Sequence, residues 1–224
     1  MTRPGAPLGD LFARAVAQAF GPASPTAADT DTTDDRILDA ALAVLGRRST
    51  REATVEEIAR EAGVGRATVF RRFDSRDHVF EAALVRFVGQ VVGSMVDRFA
   101  VVTDPVDQVV EGFAICLALD DDPLLADRAR RGELLAALSG GDPSPLRLAW
   151  AAVAANLRRA HRAGTITAGD PDEQADALVH LGLSYLMAPG LAVDLTDPTA
   201  VRAFARRTVA PIVGAIPPRG NPSS

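Results

Sequence analysis

The sequence predicts an all-α fold, because three of its features favour helices. Apolar residues make up 47% of the 224 residues, which is enough to build a hydrophobic core. Aromatic residues are only 5%, whereas Ala and Leu, which lose little entropy in a helix, are abundant. Beyond residue 33, apolar side chains recur at helical spacing. We therefore expect three short helices, one long helix and a C-terminal helical bundle.

The composition excludes several classes of protein. A net charge of -5 argues against a protein that coats nucleic acid indiscriminately, because nonspecific affinity comes from neutralising phosphates. The single Cys116 rules out an intramolecular disulfide, and the three His residues lack metal-ligand spacing, so we expect no metal and no cofactor. The start lacks a signal-peptide pattern and no stretch suits a membrane span. A cytoplasmic protein fits best.

Residues 1–33 are expected to form a mobile arm, because their polar run at 24–33 cannot pack a core. The alternative is a short amphipathic helix docked on the body, since apolar residues between Leu8 and Phe20 lie at helical spacing. After residue 33, stripes centred on Leu38, Ile58 and Phe70 predict three short helices. A stripe from Val79 to Phe99 predicts a helix long enough to link two domains.

Further along, an Asp or Ser residue repeatedly stands directly before Pro. Such a pair is a sound helix start, because the first side chain caps the helix and Pro lacks the amide hydrogen that would be unpaired there. A simple turn is the alternative for any single pair. About five further helices are therefore expected. The pairs are Asp104-Pro105, Asp122-Pro123, Ser144-Pro145, Asp170-Pro171 and Asp197-Pro198.

A helix-turn-helix is predicted near residues 54 to 73. Thr54 and Glu57 form a capping box that begins one helix, which is expected to end at Gly63, where a left-handed backbone is tolerated. The next helix begins after Gly65, which leaves a three-residue turn. Two core helices that happen to meet at a Gly are the alternative.

The second of these helices has two faces at 100° per residue. Val69, Phe70 and Phe73 lie on one side, and a small residue, a hydroxyl and two guanidinium groups face outward, as a helix in a major groove requires. Eight Arg residues against five acids lie between Arg47 and Arg76, although a merely solvated face is the alternative. The outward residues are Ala67, Thr68, Arg71 and Arg72.

The segment TVEEIAREAGVGRATVFRRF at residues 54–73, followed by Asp74-Ser75-Arg76, resembles the N-terminal domain of TetR-family one-component transcriptional regulators. The likeness is specific for residues 34 to 84. It implies a DNA-binding domain there, after the arm at 1–33, a ligand-binding and dimerisation domain at 85–216 and a loose tail at 217–224.

The resemblance also implies roles for single residues in contacting double-stranded DNA. Phosphate contacts would come from the hydroxyl groups and from the last Arg, and base contacts from the positions at the start of the second helix. The two adjacent Arg residues would reach either bases or the DNA backbone. The implied DNA-binding residues are Thr54, Arg66, Ala67, Thr68, Phe70, Arg71, Arg72 and Arg76.

Three positions depart from the usual family pattern. Gly65 stands where Ser is frequent, which weakens the cap of the second helix by a few tenths of a kcal/mol, on the order of the Ser-to-Gly difference. Phe70 lacks the hydroxyl of the usual Tyr, so only packing remains. Arg72 replaces a frequent His and adds a permanent charge that would restore phosphate affinity. These changes put the operator sequence in doubt.

For the second domain, the resemblance implies a homodimer built on helices near 170–187 and 197–214, which would read a palindromic operator. Ligand would move the long helix and release the DNA, so that the protein would be a repressor. The effector would be a mainly apolar small molecule. The candidate ligand contacts are Met95, Phe113, Cys116, Trp150, Asn156, His180 and Tyr185.

The sequence also bears on two other functions. An enzyme is disfavoured because no nucleophile with a base, no carboxylate pair and no phosphate-binding glycine loop is present. A helical ligand-binding protein that acts through protein partners without specific DNA binding remains the alternative. The missing Tyr hydroxyl at Phe70 favours it, and the outward Arg residues argue against it.

Overall fold

The computed structural model describes residues 6–19, 32–139, 144–188 and 190–214, and they form helices joined by loops. No strand occurs in these four segments, so the all-α prediction is confirmed. The predicted tail and most of the polar run of the arm lie outside them. The helices are α1 Leu8–Ala19, α2 Thr32–Arg47, α3 Val55–Ala62, α4 Arg66–Arg72, α5 Arg76–Val101, α6 Pro105–Ala118, α7 Arg128–Leu138, α8 Pro145–Arg162, α9 Pro171–Met187 and α10 Pro198–Phe204.

The chain divides into two compact units, which are described separately. The first unit contains residues 1–93 and 119–149, and the second contains residues 94–118 and 150–224. Helices α5 and α8 each begin in the first unit and end in the second. The segment from 119 to 149 therefore groups with the N-terminal helices, a partition that helix order along the chain does not reveal.

Helix α1 is the docked helix that the sequence left as the alternative to a mobile arm. Its apolar side is buried in the first unit, where it packs against α7. The packing is close, because a methyl group added at Gly9 would lie 3.2 Å from the Cβ atom of Ala137. The helix also contacts α5, since the amide of Ala6 donates to Asp77 at 2.9 Å and Arg14 pairs with Glu81 at 3.1 Å. Its buried residues are Leu8, Leu11, Phe12, Ala15 and Val16.

Helices α2 to α4 and the first half of α5 share one apolar core. The predicted stripes account for most of it, but Phe70, which the spacing placed inward, is 40% exposed. Among the helices of the described segments, α5 alone is long and apolar enough to cross a membrane by length and composition. Its apolar residues between Val79 and Val88 are used in this core instead. The largest fully buried members are Ile37, Leu45, Ile58, Val69, Val79, Phe80 and Leu84.

Four of the five capping pairs begin helices as predicted, at Pro105, Pro145, Pro171 and Pro198. Asp170 shows the mechanism, since its carboxylate accepts from the amides of Asp172 and Glu173. The pair Asp122-Pro123 was expected to begin a helix and instead forms a turn, and α7 begins only at residue 128. There the Asp122 carboxylate accepts from the amide of Leu124 at 2.8 Å, a bond that closes the turn.

Helix α10 continues past Phe204 as a π turn at Ala205–Val209 and a 3-10 turn at Ala210–Ile212. Pro211 explains the change, because its nitrogen has no hydrogen to donate to the carbonyl one turn earlier and its ring crowds that carbonyl. The amide of Ala210 accordingly donates to the carbonyl of Ala205, five residues back. The predicted helix near 197–214 is present, with this irregular last part.

A buried carboxylate joins three helices of the second unit. Glu111 of α6 is 8% exposed, and its oxygens accept from Arg202 of α10 at 3.0 and 3.1 Å and from Arg98 of α5 at 3.1 Å. These hydrogen bonds, with the one from Arg202 contributing most, lower the pKa of Glu111 below its ordinary value of 4.5. The ion pairs therefore fix the C-terminal end of α5 to α6 and α10.

Replacement of Glu111 by Gln is expected to lower the free energy of unfolding by about 1–3 kcal/mol at neutral pH, because both Arg residues lose a charged acceptor. A lowered pKa in the folded state means that the carboxylate stabilises the fold above about pH 4.5, and that this stabilisation is lost as the pH falls through the folded-state pKa. Denaturant titrations at neutral pH and below about pH 4 should show the difference between the two proteins shrinking in acid.

The matched control is Asp107→Asn, which removes the exposed carboxylate that pairs with Arg206. It is expected to change the free energy of unfolding by less than about 1 kcal/mol, as an exposed ion pair does. An equal loss in both variants, or a difference for Glu111→Gln that does not depend on pH, would contradict the assignment.

Candidate nucleic-acid interface

Helix α3 begins with the predicted capping box. The Thr54 hydroxyl accepts from the amide of Glu57 at 3.2 Å, and the Glu57 carboxylate accepts from the amide of Thr54 at 3.0 Å. The second bond is the main reason that the pKa of Glu57 is lowered. Thr54 remains exposed, so its hydroxyl lies at the protein surface as well as in the cap.

The turn between α3 and α4 consists of residues 63–65, as predicted. Gly63 adopts the left-handed conformation with φ of 64°, which Gly adopts without steric cost, and its amide donates back to the last turn of α3. Gly65 stands at the N-cap of α4 and makes no side-chain cap bond. The structure thus agrees with the expectation that α4 begins with a weak cap.

Helix α4 has seven residues and buries only a narrow stripe. Val69 is fully buried, and Phe73, which directly follows the helix, is 8% exposed. Ala67 and Arg71 lie on the opposite side and are exposed, and Thr68 is half-buried beside them. A small residue, a hydroxyl and a guanidinium group therefore form the outward face of the helix.

The two adjacent Arg residues of α4 have different environments. Arg71 is exposed and makes no ion pair or hydrogen bond with the residues that the structure describes. Arg72 follows Val69 by three residues, so it lies next to the buried stripe rather than opposite to it. Its Nη1 atom donates to the carboxylate of Asp34 in α2 at 2.7 Å, and 27% of its side chain is exposed. The outward orientation expected for Arg72 is therefore not the one observed.

Phe70 and Arg66 form a small group at the other edge of the α4 face. Phe70 is 40% exposed, so it does not pack with the buried stripe as the sequence suggested. The guanidinium of Arg66 lies 5.3 Å from the centre of the Phe70 ring and 2.5 Å from the carboxylate of Glu56 in α3. Both Arg66 contacts are at the surface, where such an ion pair is weak enough to be exchanged for another anion.

Arg76, in the first turn of α5, is half-buried. It donates to the carbonyl of Ala53, directly before the cap of α3, at 3.3 Å and pairs with Asp77 at the same distance. The carbon of its guanidinium group also lies 6.0 Å from the centre of the Phe80 ring. Arg76 thus joins the start of α5 to the start of α3.

Sequence reasoning missed the polar residues that open α2. Asp34 pairs with Arg72, and the Nη2 atom of Arg36 donates to the carbonyls of Ala62 and Gly63 at 2.5 and 3.3 Å. These partners are 38, 26 and 27 residues apart in the chain, and no local spacing rule connects them. The acidic first turn of α2 was the only available signal, and it is ordinary for a helix start.

The residues proposed to contact a ligand do not form one group. Phe113 and Tyr185 pack edge to face at 5.6 Å in the core of the second unit, together with Phe204. Trp150 on α8 donates from its ring nitrogen to the carbonyl of Asp172. His180 is exposed on α9, next to Asp176.

Three further ligand candidates lie on different helices of the second unit. Met95 is half-buried on α5. Asn156 of α8 donates to Gln108 at 2.9 Å, and Gln108 in turn donates to the carbonyl of Val102 at 2.7 Å, just beyond α5. The thiol of Cys116 faces Gly182, where an added methyl group would lie 3.4 Å from Sγ, and burial raises the pKa of this thiol to about 11.

Comparison with known proteins places the helix-turn-helix in a family. Residues 37–83 match the family model of bacterial regulatory proteins, tetR family. An uncharacterized HTH-type transcriptional regulator of Mycobacterium tuberculosis is 31% identical over 123 residues, which cover 49% of this chain and 61% of that protein. The chain therefore spans about six-tenths of the length of the curated relative.

Solved structures extend the likeness to most of the chain, at the level of the fold. A structure described as the molecular basis for control of antibiotic production by a bacterial hormone has a TM-score of 0.65 at 22% identity, covering 83% of this chain and all of the other. The transcriptional regulator FadR of Bacillus subtilis, in complex with stearoyl-CoA, has a TM-score of 0.56 at 15% identity, covering 81% and 98%.

The family match coincides with the capping box, the glycine turn and the two short helices described above. Residues 37–83 therefore resemble the helix-turn-helix domain of the TetR family, and the chain has the fold of TetR-family regulators.

Proposed function

We propose that this protein is a sequence-specific DNA-binding transcriptional regulator, and a repressor that a small-molecule effector releases from a palindromic operator. One observation carries the proposal: the outward face of α4 presents Ala67, Thr68 and an Arg71 that has no partner among the described residues. Ala allows close approach to base edges, Thr can bond a phosphate, and Arg can read guanine with two hydrogen bonds. Such a regulator acts in the cytoplasm.

The alternative is a TetR-like helical protein that binds ligands and protein partners without specific DNA binding. The exposed Phe70 ring favours it, because an apolar residue stands where a phosphate contact would be useful. The charge pattern argues against it, because the segment from Arg47 to Arg76 is positive within a chain of net charge -5. An enzyme is not proposed, since the polar side chains of α3 and α4 serve caps, ion pairs and an open surface rather than a catalytic group.

The Arg71→Ala and Thr68→Ala variants are expected to bind the operator more weakly. Loss of a bidentate base contact costs about 1–3 kcal/mol for each half-site, and loss of the Thr hydroxyl costs about 1 kcal/mol. Binding to labelled DNA from the upstream region of the gene, measured at a stated salt concentration, provides the test. Arg147→Ala is the control, because Arg147 is an exposed residue of α8 and lies outside the helix-turn-helix segment.

Saturable nanomolar binding that protects a palindrome, and that weakens in the α4 variants but not in the control, supports the regulator. If all four proteins bind equally weakly and without sequence preference, the proposal fails and the partner-binding alternative is favoured.

A regulator of this kind needs two recognition helices, so the proposal includes a homodimer built on α9 and α10. The exposed side of α9 carries His180 and Met187, which a partner helix would cover. Light scattering at micromolar concentration is expected to give twice the chain mass of 23.5 kDa. A single-chain mass at this concentration would count directly against the dimer.

The proposed effector is a mainly apolar small molecule bound in the second unit. The aromatic group of Phe113, Tyr185 and Phe204 supports an apolar ligand, and FadR of Bacillus subtilis, whose fold is similar, is in complex with stearoyl-CoA, which carries a long apolar acyl chain. Ligand binding would shift the population between conformers that differ in the spacing of the two α4 helices of the dimer. Helix α5 would transmit the change, because it begins in the first unit and ends in the second.

Stearoyl-CoA is therefore expected to bind, as measured by calorimetry, and to weaken operator binding. Coenzyme A alone carries the same charges without the acyl chain, and it is expected to do neither. Equal binding of the two compounds would show that the site selects charge rather than apolar surface. Binding of stearoyl-CoA without any change in DNA affinity would contradict the proposed release.

A further inference from the structure

Residues at the start of α2 contact both ends of the segment that is formed by the turn 63–65 and helix α4. At one end, the carboxylate of Asp34 holds the guanidinium of Arg72 at 2.7 Å, in the last turn of α4. At the other end, Arg36 donates to the carbonyls of Ala62 and Gly63, where α3 ends. Helix ends leave carbonyl groups without partners inside the helix, and Arg36 supplies partners for two of them.

From these contacts we propose that Arg72 is a positioning residue rather than a DNA contact, and that its ion pair with Asp34 fixes the orientation of α4 for operator binding. The inference rests on the proposed DNA-binding function and deepens it. It assigns the two adjacent Arg residues different roles. Arg71 contacts the DNA, and Arg72 fixes the orientation of the helix to which Arg71 belongs.

Burial supports this division. The side chains of Arg72 and Asp34 are 27% and 30% exposed, so their ion pair is less screened by solvent and salt than one at the open surface. By comparison, the side chains of Arg66 and Glu56 are 62% and 57% exposed. If the Arg72 side chain turned toward DNA, the Asp34 carboxylate would lose this partner while it remained partly buried, which is destabilising.

The helix itself has little else to fix it. Its N-cap, Gly65, provides no side-chain bond, and its apolar contacts come mainly from Val69 and Phe73. With only two buried residues in a row, α4 could rotate about the line that joins them. A polar contact to one side of that line opposes the rotation. Arg72 lies beside the stripe, and the charge of an Arg in the last turn of a helix is also favourable.

The test compares the salt dependence of operator binding in four variants. A direct phosphate contact contributes about one unit to the slope of log affinity against log salt, whereas a positioning residue does not. The variants are Arg72→Ala, Asp34→Asn, the charge exchange Asp34→Arg with Arg72→Asp, and Arg71→Ala as the comparator for a direct contact.

We expect Arg72→Ala and Asp34→Asn each to lower operator affinity by about tenfold with an unchanged salt slope. The exchange variant, in which the pair is re-formed with reversed charges, is expected to recover affinity to within about threefold of the unmodified protein. Arg71→Ala is expected to lose affinity that no change at Asp34 restores.

The opposite pattern overturns the inference. If Arg72→Ala lowers the salt slope by about one unit while Asp34→Asn leaves affinity unchanged or increases it, Arg72 is a phosphate contact and Asp34 merely competes with DNA for it. Failure of the exchange variant to recover affinity, while it retains the helicity of the unmodified protein, also counts against the ion pair.

A measurement without DNA separates this inference from the proposed function. Hydrogen exchange of the backbone amides between Val69 and Phe73 is expected to be faster in Arg72→Ala and Asp34→Asn, normal in the exchange variant and normal in Arg71→Ala. Unchanged exchange in all variants defeats the positioning role whatever the DNA result. Absence of operator binding by the unmodified protein defeats the proposed function instead.

Discussion

The shortness of α4 is the constraint on which the rest of the helix-turn-helix domain depends. An isolated helix of seven residues is unstable in water, because the cost of forming its first turn is not recovered by so few hydrogen bonds. Its shape must therefore come from its neighbours. The buried Val69 supplies the apolar part, and the glycine turn and capping box of α3 fix the point from which it begins. The polar first turn of α2 completes the frame.

The same contacts determine which Arg side chains remain unpaired at the surface of a chain whose net charge is negative. Several Arg residues of the first unit are engaged with carboxylates, as Arg86 of α5 is with Asp35 and Asp39. The net charge of a sequence segment therefore does not show which of its Arg side chains pair with carboxylates and which remain free at the surface. The partner of each side chain in the folded state distinguishes Arg71, which is exposed, from Arg72, which pairs with Asp34, although the two are neighbours in the chain.

Features that depend on local physics were predictable from the sequence, and features that depend on distant partners were not. The capping box at Thr54, the left-handed Gly63 and four helix starts at Pro follow from rules that act within four residues. The turn at Asp122 departed from its pattern because one Asx-Pro pair fits a turn and a helix start equally well. Three other features require a partner far away in the chain, which no periodicity encodes. They are the inward orientation of Arg72, the docking of α1 on α7 and the burial of Glu111.

The position of α1 has a consequence for how the chain folds. During synthesis α1 emerges before α7, which packs against its apolar side and begins 109 residues after α1 ends. Helices α2 to α5 can assemble from nearby contacts while α1 waits with Leu11 and Phe12 uncovered. Helix α1 is therefore complete well before the helix that covers it, and in that interval its exposed apolar side is a site for aggregation.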